Sequence, residues 1–113
     1  MRKQMIENAA FEVATQVRAV EDVIDSALAE IAELQSKMLR ARTVTGTGVA
    51  TGQPALEQLA EAVSALIAAR GGMARCHAEL VEAKKHVPGL RTVGFGDNEC
   101  PPAEGANHLR VVA

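Results

Sequence analysis

The sequence predicts an all-α fold: a long antiparallel helical hairpin, coiled-coil-like, that assembles into a helical bundle and ends in an irregular C-terminal tail. Three observations predict it. An apolar stripe at alternating steps of four and three runs unbroken from Ile6 to Ala41. A glycine-threonine segment then separates it from a second apolar periodicity. Finally, aromatic residues make up only 2% of the chain, with Phe11 and Phe95 the sole examples. Burial must come from Ala, Val, Ile, Leu and Met, which suits close helix packing better than a β-sandwich or barrel.

The first arm, a helix expected over residues 4–41, places Ile6, Ala10, Val13, Val17, Val20, Ile24, Ala27, Ile31, Leu34, Met38 and Ala41 on one stripe. A straight 3.6-residue helix drifts off such a register, so a sustained 3.5 repeat implies a left-handed supercoil. At 1.5 Å per residue the span from Ile6 to Ala41 is roughly 54 Å long. The positions between are mostly polar, among them Gln16, Arg18, Glu21, Asp25, Glu30 and Lys37. Phe11, Ala14, Val23 and Leu28 widen the apolar face beyond a two-stranded seam, a width that fits a bundle of three or four helices.

Residues 42–53 read as a loop: three glycines and four threonines fall between Thr43 and Gln53. Pro54 suits the first helical position of the second arm, expected over 54–86, with Glu57 and Glu61 early in the helix where carboxylates favour the dipole. Lys37, Arg40 and Arg42 near the end of the first arm would stand beside those carboxylates in a hairpin.

The second stripe is Leu56, Leu59, Val63, Leu66, Arg70, Met73, His77, Leu80, Lys84 and Val87. It starts as cleanly as the first and then admits three polar residues. A second set, Ala60, Ile67, Ala74, Ala78 and Val81, is expected to take up lost burial. Gly71-Gly72 costs roughly 1–2 kcal/mol of helix propensity and marks either a kink or a close backbone approach. The tail, 88–113, carries four glycines, three prolines and short apolar pieces at Leu90–Phe95 and Leu109–Val112 that suit extended segments or a protein partner.

Arg70, His77 and Lys84 recur at intervals of seven and share a face. If the hairpin pairs positions whose numbers sum to roughly 95, Arg70 faces Asp25 and Glu21 approaches Arg75. Asp25, Arg70 and His77 are therefore the expected register-setting polar residues, a role better attested for such groups than net stabilisation. The alternative is a cationic strip that receives an acidic partner.

Little else in the sequence carries chemistry. Net charge is −2, spread as six bases and seven acids over 2–42 and four of each over 54–87. This leaves no basic stripe for nucleic acid and no polybasic patch for an anionic membrane. Glu7, Asn8 and Glu12 interrupt any signal-peptide core, and no uncharged run approaches a membrane span, so a cytoplasmic location is expected. Cys76-His77 is the one adjacent pair of soft ligands, but neighbours on a helix point about 100° apart. A site would need His86 or Cys100 as well. The glycine-threonine loop lacks the lysine and preceding strand of a phosphate cradle. Asp97-Asn98-Glu99 is too short for an EF-hand loop. The three serines lie within the helical arms and offer no triad. No catalytic, cofactor-binding or metal residues are expected.

The sequence thus favours a non-enzymatic interaction or structural module that self-associates, with a homodimeric four-helix bundle as its form. Two alternatives are a regulatory or chaperone-like adaptor that holds one partner protein, and a metal- or thiol-responsive switch.

Overall fold

A computed structural model describes residues 1–89. Two long helices, α1 (Arg2–Thr45) and α2 (Gln53–Lys84), are joined by a short loop and pair antiparallel. Among the described residues there is no strand. The expected all-α hairpin is what forms.

Both helices run further or stop sooner than their composition suggests. α1 begins at Arg2 rather than residue 4 and continues to Thr45 rather than stopping at 41. The extra turn is held by threonine hydroxyls bonding back along the helix. Thr43 Oγ1 donates to the Leu39 carbonyl at 3.3 Å and Thr45 Oγ1 to that of Ala41 at 2.9 Å. Those two carbonyls already accept from helical N–H groups, but Thr45 Oγ1 also reaches the Arg42 carbonyl at 3.1 Å, one of the last four of the helix. Gly46 then terminates the helix with φ near 70°, its N–H bonded to the Thr43 carbonyl at 3.2 Å.

The loop descends through two further turns, Thr51 N–H to Gly48 O and Gln53 N–H to Ala50 O. Gly52, at φ 84°, starts α2 by accepting from Leu56 N–H at 3.0 Å. Pro54 is therefore the second helical residue rather than the first, still within the turn where a missing N–H costs nothing. α2 closes at Lys84 rather than 86, through tight turns from Lys85, His86 and Val87 back to residues three earlier.

α2 is helical straight through Gly71-Gly72. A Cβ built on Gly72 would meet nothing nearer than Arg75 Nη2, at 3.8 Å, so close approach of another backbone is not what a glycine is needed for at that position.

The described residues divide into two compact units, residues 1–20 with 72–89 (unit 1) and Glu21–Gly71 (unit 2). The tail expectations for 90–113, including the segments Leu90–Phe95 and Leu109–Val112 and the side chain of Cys100, lie outside the described residues. None of the described helices is long and apolar enough to cross a membrane.

Candidate association surface

Two helices in contact can shield one row of side chains on each and part of the rows beside it. In unit 2 the shielded row of α1 is Ile24, Ile31 and Met38, all half-buried and spaced by seven. Opposite it Leu56, Leu59, Val63 and Leu66 are half-buried on α2. The adjoining α1 row behaves differently: Ala27 is half-buried, but Leu34 is 49% exposed and Ala41 is exposed. Val23, one step further round, is 65% exposed. On α2, Ile67 is also exposed, so it does not take up the burial that its spacing led one to expect.

An ion pair in unit 2 joins Arg70 Nε to Asp25 Oδ1 at 2.6 Å. Its partners face each other across the hairpin as the sequence register requires, but in water: the two side chains are 60% and 54% exposed. The hydrogen bond from Arg70 holds the Asp25 carboxyl below the usual carboxylate range. Slight desolvation opposes that, and the guanidinium charge adds to it. Reciprocally, the same hydrogen bond and the charges of Asp25 and Glu21 raise Arg70.

At the loop end the bases do not meet the acids of α2. Arg42 Nη1 donates to the Thr47 carbonyl at 3.0 Å, Arg40 reaches Ser36 at 3.5 Å, and Glu57 accepts from Gln53 at 3.1 Å. Arg42 thereby pins the loop to the helix it follows.

In unit 1, Val17 is 8% exposed and is the one buried apolar side chain among the described residues. Beside it His77 is 5% exposed. No buried side-chain nitrogen or oxygen among the described residues lacks a hydrogen-bond partner, so the imidazole sits in the seam at no unpaired cost. Ile6, Val20, Met73, Val81 and Val87 are half-buried, whereas Val13 and Leu80 are exposed. These last two open onto an apolar groove of about 200 Å³ between α1 and α2, floored by Ala10, Val17 and His77. The three polar interruptions of the second stripe thus have separate environments: Arg70 in a solvated ion pair, His77 buried, Lys84 half-buried with a partner.

Cys76 is exposed while its neighbour His77 is buried, so the two soft ligands point apart. Among the described residues no three His, Cys, Asp or Glu side chains gather as a metal site would require. The feature that sequence periodicity missed is the sidedness of the exposed apolar residues. The stripe marks Leu34 and Val17 alike, although one faces water and the other the partner helix. No protein-family model, no curated protein and no solved structure matches this chain.

Proposed function

We propose that this chain is a non-enzymatic structural or interaction module whose hairpin self-associates, as a homodimer forming a four-helix bundle. The observation that carries the reading is the imbalance of burial. Among the described residues one apolar side chain is buried, while Val13, Val23, Leu34, Leu39 and Ile67 remain exposed on two amphipathic helices. Fully burying a side chain of this size stabilises by roughly 1.5–3 kcal/mol, and a lone hairpin leaves most of that unrealised. A second hairpin supplies the missing surface, and symmetry lets one sequence provide both halves.

Light scattering over a dilution series tests this on the full chain. The expected result is a dimer mass at low micromolar concentration, with a melting midpoint that rises with protein concentration. A monomer of low helicity overturns it and indicates that the apolar surface is completed by a different protein.

A further inference from the structure

Self-association by itself leaves open which side of the hairpin is covered and how the copies are oriented. The structure distinguishes the two sides. In an antiparallel helix pair the corresponding flanks of both helices lie on the same side of the contact plane. On one side of unit 2, α1 presents the row Ala27, Leu34, Ala41, and α2 presents Leu59 and Leu66 with exposed alanines at 55, 62 and 69 beyond them. No charge interrupts that surface short of its rim. The other side also exposes Leu39 and Ile67, but it carries the Asp25–Arg70 ion pair with Glu21 and Arg42, groups that would lose hydration if covered.

The rim of the uncharged side fixes an orientation. It is the α1 row Val23, Glu30, Lys37, Val44, all exposed and spaced by seven. This row reads as its own complement when reversed: apolar, acidic, basic, apolar. A two-fold axis perpendicular to α1 and midway along the row sets Glu30 of each copy against Lys37 of the other, and Val23 against Val44. The same axis passes beside Leu34, which meets its own copy, and the inner row Ala27, Leu34, Ala41 is likewise symmetric about it. A two-fold axis parallel to the helices would instead lay this rim along the alanines of α2, where Glu30 and Lys37 meet no opposite charge. Unit 2 holds residues 21–45 of α1 and 53–71 of α2, about 37 Å and 28 Å of helix, so the face is roughly 600 Å² per copy. That is at the low end for stable interfaces, which centre on ~800 Å² per partner.

We infer that a second copy of this chain covers the uncharged face of unit 2 in antiparallel orientation, about a two-fold axis beside Leu34. The inference rests on the self-association proposed above and adds the face and the direction. Alanines at 55, 62 and 69 let the two α2 helices approach closely.

Cross-linking tests the face. In full-length protein carrying Cys76→Ser and Cys100→Ser, Leu34→Cys should give a covalent dimer with a short bis-maleimide, and Leu39→Cys, on the charged side, should not. The reverse pattern in a protein that still scatters as a dimer overturns the face while leaving self-association standing. A monomer by scattering removes self-association and this inference together. If the thiol introduced by Leu34→Cys is instead shielded from maleimide in protein diluted to monomer, a segment of the same chain is the occupant, and the second copy is ruled out.

Charge reversal tests the orientation. Glu30→Lys, which opposes two lysine pairs per dimer, should raise the dimer Kd roughly tenfold at low salt. Adding Lys37→Glu should restore the parental Kd. Equal affinity for parent, single and double variants overturns the antiparallel arrangement.

Discussion

Arg70 reaches from α2 to Asp25 on α1 and donates from Nε to Oδ1 at 2.6 Å, tying together residues 45 positions apart in the chain. Because both side chains are largely solvated, the pair should add little net stability, and its expected part is to select one alignment of the helices. Arg70→Met should therefore leave a helical, cooperatively melting protein whose thermal stability is close to the parent's. Its helix alignment should become less unique, visible as broadened or doubled amide resonances for residues around 25 and 70. Sharp single resonances at parental positions would show that apolar packing alone sets the register.

The same pair should give the protein a small acid-sensitive increment of stability, reduced by solvent screening. Asp25 titrates below its ordinary value of about 3.9 in the folded chain, chiefly through the Arg70 hydrogen bond. A depressed carboxyl contributes stability that is fully present above its unfolded pKa and is lost as pH falls through the lower folded pKa. Melting midpoints of the parent should hold between pH 7 and 5 as far as this group is concerned, and fall below pH 4. In Asp25→Asn the fall should be smaller. An identical acid profile for the two proteins would remove the ion pair as a contributor.

How much of this was legible in the sequence depends on which side chains are compared. The Ile6–Ala41 stripe foretold a long α1, and the positions of Asp25 and Arg70 about the glycine-threonine loop foretold their meeting. The stripe could not foretell that Val17 would be buried and Leu34 exposed, since an apolar pattern records aversion to water and not the number of neighbouring helices. The helix end at Thr45 was hidden for a different reason. Threonine weakens helix interiors, yet in the last turn the Thr45 hydroxyl reaches the Arg42 end carbonyl, so the composition that reads as loop extends the helix. Gly71-Gly72 could not be resolved because a glycine pair is compatible with a kink, a close contact or an unbroken helix of reduced propensity.

Glycine substitutions at two sites should move stability in opposite directions. Gly72 lies inside α2 without a left-handed backbone, and a Cβ there meets Arg75 Nη2 at an ordinary 3.8 Å. Gly72→Ala should stabilise by about 0.5–1 kcal/mol, the helical penalty of glycine removed. Gly46, with equally open surroundings, holds φ near 70°. Gly46→Ala should destabilise by about 1–2 kcal/mol from that conformation alone. Urea denaturation of the pair would measure both, and a shared sign would contradict the backbone geometry of one site.

Val13 and Val17 stand one turn apart on the same stripe, and truncating each separates hairpin packing from association. Val17 is 8% exposed, so Val17→Ala removes two methyl groups from the one buried apolar side chain among the described residues and should cost about 1–3 kcal/mol at any protein concentration. Val13 is 48% exposed in the single chain, and Val13→Ala should cost the isolated hairpin well under about 1 kcal/mol. If a second copy covers this residue too, that small cost should grow as protein concentration rises through the dimer Kd, because the lost contact then belongs to the dimer. Thermal melts at a low and a high concentration decide it: a Val13→Ala penalty that stays constant would place the residue outside the interface, confining association to other parts of the hairpin.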